Sequence, residues 1–284
     1  MRLTRFFRRR LLALRPPGPQ AQVIGLCRFS YPATGGFQAG PQTLAERAAY
    51  LYDPDRLDER FRLFEALTLP SIRAQSDPDF TLLIVIGTDL PPARQTQLRD
   101  LTADVPQVVI QAHPPGEHRP VLKAAINSVR RPGCFSIQFR NDDDDAIGVG
   151  FVAGLRQTLH ESLPLFRAHR HVAVDFTRGW NVLASDRGIQ AEPVQRLFLG
   201  VAFGIVFRPD VALSVMNFTH HEVWKHMPTL SRTEPDMFLR GGNDHNDSGT
   251  RHSPALPLLT VEQEAHFQRA FGVSAARVRA IYGR

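Results

Sequence analysis

Four consecutive aspartates, Asp142 to Asp145, carry the plainest chemistry in this 284-residue chain. Carboxylates that close repel, and their pKa values rise unless a cation sits among them. Divalent Mg or Mn answers that need, because it prefers oxygen ligands: one or two carboxylates plus substrate phosphates and water. In an extended segment Asp142 and Asp144 would point to the same side. One could then hold the metal while the other meets a ribose or a metal-bound water. A cation bridging two phosphates would stabilise the charge that develops as a sugar–phosphate bond breaks. A charge run alone is more often a solvated turn. Here the run follows an apolar segment, Phe135 to Phe139, without a gap.

The elements around it alternate. Gln22 to Cys27 reads as a strand. Leu57, Phe61, Phe64 and Leu67 share one helical face, and that helix should stop near Pro70. Thr81 to Ile86 has the continuous apolar character of a strand buried on both faces. Pro91-Pro92 opens a helix through Leu98 and Leu101, Val108 to Ile110 is a third strand, and Leu122, Ala125, Ile126 and Val129 line another helix. Strand, helix, strand with short connections predicts a parallel α/β sheet, whose ligands bind at the carboxyl ends of its strands. The aspartates stand at such an end. A helix from about Gly150 to His160 follows them. The second half is less regular: His171 to Phe176, Leu197 to Leu199 and Phe203 to Phe207 read as strands on the same sheet. Gly179-Trp180-Asn181 and Ser185 to Gly188 read as turns, and Val261 to Phe271 and Ala275 to Ile281 as closing helices.

Ile137-Gln-Phe-Arg-Asn-Asp-Asp-Asp-Asp-Ala146 resembles the strand and D-x-D segment of GT-A glycosyltransferases. It is particularly similar to a bacterial rhamnosyltransferase family in which an arginine and an acidic quartet follow a core strand. Leu69 to Phe80 is similar to that family's helix end and turn before its second strand, and Arg28-Phe29-Ser30 to the end of its first. The resemblance covers roughly Val23 to Thr250. It implies a GT-A-type nucleotide-diphospho-sugar transferase fold, Rossmann-like and mostly parallel with a mixed C-terminal part. Residues 21–284 would form one catalytic domain, 21–145 serving the nucleotide and 146–284 the acceptor. The implied activity is metal-dependent transfer of a sugar from a nucleotide-diphosphate donor to a glycan or lipid-linked acceptor. Rhamnose is implied by the family label alone.

The resemblance also implies site residues. Asp142 and Asp144 would hold Mn or Mg, with Asp142 also near the ribose. GT-A enzymes often complete the metal site with a late histidine, here His245 in the polar stretch Gly242 to Ser248, which could equally be an Asn/Asp-rich turn. Asp89 would reach the nucleotide base and Arg28 base or phosphate, though either could be a cap or surface ion pair. Glu222 would be the general base for the acceptor hydroxyl, with Asp236 and Glu234 in reserve. Glu222 also stands three residues after Thr219, the spacing of a capping box. Trp180 could stack on an acceptor sugar or pack in a hairpin. His113, His118, His160 and His252 have no metal-ligand spacing and read as surface residues.

Net charge is +6, and six arginines, at positions 2, 5, 8, 9, 10 and 15, fall in the first 15 residues. Without them basic and acidic residues balance at 28 each. A neutral body argues against nucleic-acid binding. Residues 1–20 read as a basic tail and Pro-rich linker. Leu3, Phe7, Leu11 and Leu14 recur at helical spacing, so the tail could lie on an anionic leaflet, each Arg contributing about 1 kcal/mol, or stay solvated. Two cysteines, Cys27 and Cys134, fit buried free thiols and a cytoplasmic protein, peripheral at the inner membrane surface if the tail binds. Two other classes compete: a metal-dependent nucleotidyltransferase or phosphohydrolase, and a non-enzymatic cation-binding protein. Against the first, the stretch after the first strand has no lysine for a triphosphate and no aspartate nucleophile.

Overall fold

Ala21–Arg28 (β1) is apolar nearly throughout, and the computed structural model, which describes residues 19–35, 43–242 and 256–284, buries all but its end residues. A strand covered on both faces belongs at a sheet's centre. On one side β1 pairs in parallel with Thr81–Gly87 (β3), and Val108–His113 (β4) extends the sheet beyond it; on the other side it pairs in parallel with Phe135–Arg140 (β6). Two-residue pieces, Ala33–Thr34 (β2) and Gly116–Glu117 (β5), pair beside the main sheet.

Helices cover both faces. Leu44–Leu51 (α1), Pro54–Leu63 (α2) and Leu69–Arg73 (α3) lie between β1 and β3; Pro92–Thr102 (α4) follows β3 and His118–Val129 (α5) follows β4. Side chains alternate across β1: Val23 and Cys27 join a core with Phe61, Phe64 and Leu98, while Ile24 and Leu26 join another with Leu122 and Ile126. Each fully buried leucine or phenylalanine in these layers contributes about 1.5–3 kcal/mol.

After Ala146–Ile147 (β7), Phe151–Glu161 (α6) and Leu163–Ala168 (α7), the sheet becomes mixed. His171–Phe176 (β8) is separated from β6 by an inserted antiparallel strand, Phe203–Phe207 (β11), and Thr229–Arg232 (β12) closes the edge, giving the order β12-β8-β11-β6-β1-β3-β4. The sequence had indicated that the second half is built onto this same sheet, and that is corrected in part. Arg178–Ser185 (β9), Gly188–Gln195 (β10) and Phe238–Gly241 (β13) join β7 in a separate four-stranded sheet, packed on Val261–Phe271 (α8) and Ala275–Tyr282 (α9).

Three local expectations are corrected. Pro70 does not end its helix: Phe64–Thr68 forms a π-helical turn in which the Leu69 N–H reaches back to the Phe64 carbonyl, and α3 continues. The wide turn absorbs the register change a proline would otherwise force. Gly179-Trp180-Asn181 lies inside β9, not in a turn; a Cβ at 179 would sit 2.2 Å from the Phe238 carbonyl, so this glycine serves close strand approach. Leu197 to Leu199 is no strand, because Phe198 sits at φ 56°. The closing helices and the Ser185–Gly188 turn agree with expectation. Cys27 and Cys134 are buried and free. No described helix is long and apolar enough to cross a membrane.

The topology marks one place for a ligand. The chain moves from β1 outward to β3 and β4, then α5 carries it back to β6 on the other side of β1. The order of succession thus switches between β1 and β6, and in such sheets the ligand crevice lies outside the carboxyl ends of the two strands at the switch. Arg28 ends one strand and Arg140 the other.

Candidate active site

Beyond β6 the Asn141 N–H still bonds the Leu26 carbonyl of β1 at 3.0 Å, so the aspartates start from the sheet edge. They do not stay extended. The Asp145 N–H closes on the Asp142 carbonyl at 3.2 Å, a tight turn, and Asn141 Nδ2 donates to the carbonyls of Asp142 (3.0 Å) and Asp145 (3.2 Å). Thr68 Oγ1, from the π-helical turn, donates to the Asp145 carbonyl at 2.8 Å. Turning replaces the alternation of a strand. Carboxylate oxygens of Asp142, Asp144 and Asp145 come within 4.8 Å of one another, with Asp142 exposed. Asp143 is turned inward and fully buried.

Beneath the turn lies Arg60 of α2. Its Nε donates to Asp143 Oδ2 at 3.1 Å, its Nη2 to Asp143 Oδ1, and its Nη1 to Asp144 Oδ2 at 3.1 Å. Burial alone would lower its pKa; the charges of Asp144 and Asp142 outweigh that and hold the guanidinium charged. Arg60 thus pairs with two of the four carboxylates, and Arg240 also acts on Asp145. Burial first, then Asp144 and Asp142, push Asp145 well above the usual carboxylate range, although the Gly241 N–H donates to its Oδ1 at 3.0 Å. A hard divalent cation fits this donor set.

A basic arc faces Asp142. Arg28 and Arg140 come from the ends of β1 and β6, and His118 and Arg119 from the first turn of α5, whose N-terminus adds its own positive field. Burial, then Arg28, Arg140 and Arg119, push His118 down to about 3, so its imidazole is neutral at pH 7, and its buried Nδ1 has no hydrogen-bond partner among the described residues. Burial and the neighbouring Arg28 and Arg119 lower Arg140 as well, opposed by Asp142. Among the described residues no carboxylate forms an ion pair with Arg140, and Arg119 is bonded to Thr219 Oγ1 at 3.2 Å. Cations gathered at strand ends and a helix N-terminus suit an anion.

Residues 22–254 match the family model described as "Putative rhamnosyl transferase". The chain belongs to that family. As a member of that family it is a glycosyltransferase. No functionally curated protein matches the sequence. Among solved structures, S. aureus TarS 1–349 is similar over 78% of this chain and 60% of its own, at 8% identity and a TM-score of 0.40. The same fragment in complex with UDP-GlcNAc matches over 92% and 70%, at 10% identity and 0.43. A structure described as a putative nucleotide-diphospho-sugar transferase from Desulfovibrio desulfuricans G20 matches over 92% and 97%, at 11% and 0.36. Such distant likeness assigns neither donor nor acceptor.

Of the residues the sequence singled out in this glycosyltransferase, Arg28, Asp142 and Asp144 meet at one crevice. Asp89 lies past β3, exposed, where the Tyr52 hydroxyl donates to it at 2.7 Å. Glu222 lies in a short 3₁₀ turn, His220–Lys225, and accepts from Lys225 Nζ at 2.6 Å; that contact lowers its pKa. The capping box with Thr219 is not formed. Asp236 is held by Trp180 Nε1 at 3.1 Å, by Arg178 at 3.1 Å and by His266 Nε2 at 3.0 Å, while Glu234 pairs with Arg178. Trp180 also packs edge-on against Phe267, which is the hairpin role. His245, the basic tail and His252 lie outside the described residues. His118, expected at the surface, belongs to the site instead, because α5 starts at the crevice. Arg60, Arg119, Arg140 and the turning-in of Asp145 were not singled out. Arg140 stood inside the quoted motif and His118 opened a helix directly after a strand, which were the available signals.

Proposed function

We propose that this glycosyltransferase binds the diphosphate of its donor across the crevice between β1 and β6, with a divalent cation, and passes the sugar to a hydroxyl of a glycan or lipid-linked acceptor. One observation carries the reading: the converging carboxylates of Asp142, Asp144 and Asp145 face a basic arc built from Arg28, Arg119, Arg140 and the α5 N-terminus. A diphosphate with Mg or Mn satisfies both. Asp142, Asp144 and Asp145 would hold the metal, with His245 the sequence's further candidate. When bound, the cation neutralises charge on the departing diphosphate. Arg28, Arg140 and the α5 N-terminus would orient the phosphates, and Asp89 the nucleotide base. Arg60 keeps the acidic turn in its bound shape. Rhamnose is the sugar that the family's name supports.

The test is calorimetry with a panel of nucleoside diphosphates, with and without Mn, for the wild type and Asp144→Ala. Metal-dependent binding of one nucleotide by the wild type and none by the variant is the expected result. A folded protein that binds no nucleotide, with or without Mn, refutes the reading.

A further inference from the structure

One half-buried constellation, anchored on the buried Asp175, has no part in donor binding. Between β10 and β11 the chain passes through three residues with positive φ: Phe198 at 56°, Gly200 at 95° and Ala202 at 51°. Left-handed backbone at a phenylalanine and an alanine is costly and persists where surrounding contacts demand it. Here the contacts are specific. The Phe198 N–H donates to Oδ2 of Asp175, which is fully buried near the end of β8 and whose Oδ1 has no hydrogen-bond partner among the described residues. The Phe198 carbonyl meets Nδ1 of His220 at 2.6 Å. Gly200 leaves room for the imidazole: a Cβ there would lie 3.4 Å from both Cδ2 and Nε2.

A carbonyl can only accept, so Nδ1 carries the proton and Nε2 keeps its lone pair. Among the described residues no hydrogen bond engages Nε2. The preceding residue, Thr219, receives Arg119 of the basic arc, which ties this segment to the donor side of the crevice.

We propose that His220 Nε2 is the base that takes the acceptor hydroxyl's proton, with Asp175 a positioning residue acting through the Phe198 peptide. The inference rests on the donor-site reading above. As the acceptor oxygen bonds to the anomeric carbon, its proton passes to Nε2 and the bond from that carbon to the diphosphate oxygen breaks, its electron pair leaving with the nucleoside diphosphate. The imidazolium then returns its proton to solvent. Attack by an external base-activated hydroxyl opposite the leaving group inverts the anomeric centre.

The surrounding charges fit the order of events. Burial first, then Arg140, His221 and Asp142 acting in different directions, leave His220 pushed down to about 4, while the Phe198 carbonyl works the other way. Asp175, the acid on the facing strand, is itself pushed up to about 6 by burial, which keeps its charge from favouring imidazolium in acid. A donor diphosphate offsetting Arg140 raises the basicity of Nε2, so the base strengthens once the donor is in place. Glu222, two residues on, lacks this coupling, because Lys225 holds its carboxylate.

The test uses the full chain with Mg and inorganic pyrophosphate as probe, and long-range proton–nitrogen NMR of the histidine rings, His220 being assigned by its loss in His220→Gln. The expected spectrum shows the Nδ1–H tautomer at pH 7 and a pKa that rises by about one unit or more when Mg and pyrophosphate are added. An Nε2–H tautomer, or a pKa unmoved while calorimetry shows pyrophosphate bound, overturns the proposal. With the nucleotide sugar selected by the calorimetric panel, His220→Gln should keep the donor affinity within about 3-fold and lose 10²–10⁴-fold in release of nucleoside diphosphate. His220→Gln turning over within about 5-fold of wild type, or the same loss falling on Glu222→Gln instead, also overturns it. Failure of every nucleotide and of pyrophosphate to bind defeats the donor-site reading itself, and this proposal with it.

Discussion

At the scale of single residues, burial decides which charges are costly. Asp175 is pushed up to about 6 from 3.8, so the folded protein keeps its proton where the unfolded chain has lost it. The native state thus binds more protons between about pH 4 and 6. Stability must fall as pH rises through that window and stay lower above it, by roughly 3 kcal/mol in total. Asp175→Asn keeps an oxygen for the Phe198 N–H and removes the titration. Urea midpoints for the variant should fall less than those of wild type as pH rises from 4 to 6, and be higher than wild type at pH 7. Arg140 is a different case, a half-buried cation that forms no ion pair among the described residues. Arg140→Ala should fold normally yet bind the selected nucleoside diphosphate about 10–100-fold more weakly, as loss of a charge-assisted contact implies. Arg140→Lys should restore part of the loss in the same titration.

At the scale of elements, the acidic turn is shaped by segments far away in the chain. Arg60 arrives from α2, Thr68 from the π-helical turn and Gly241 from β13. Arg60→Met would leave Asp143 buried and charged without its partner, a loss of about 3–5 kcal/mol in denaturant unfolding. Adding Asp143→Asn should recover part of it, since the two changes act on one contact. Gly241 has a different task. A Cβ there would stand 2.0 Å from the Asp144 carbonyl oxygen, so Gly241→Ala must move either β13 or the turn. Near-native circular dichroism with loss of Mn-dependent nucleotide binding is the expected outcome.

For the whole molecule, charge is divided between a basic N-terminal tail and a body whose acids and bases balance. If the tail supplies contact with an anionic leaflet, a protein lacking residues 1–18 should no longer sediment with phosphatidylglycerol-containing vesicles. Its nucleotide titration should be unchanged, because the crevice is assembled by β1, β6 and α5. Equal sedimentation of both proteins would move any membrane contact onto the body.

The sequence by itself determined the parallel α/β half, because continuous apolar strands and 3.6-residue helical faces are local patterns. It also located the acidic quartet at a strand's carboxyl end, since strand and quartet adjoin in the chain. That Arg28 would share a site with Asp142 and Asp144 came from the family resemblance. Tertiary structure alone decided which carboxylates converge: a turn brought Asp145 in and sent Asp143 down to Arg60, 83 residues earlier. It decided too that the wide turn before Pro70 carries the helix onward and that Gly179 serves close packing of strands. His118 and His220 read as ordinary histidines in sequence because their surroundings come from distant segments. Their protonation follows from burial and from Arg140, and burial and through-space charge become definite only once the chain has folded.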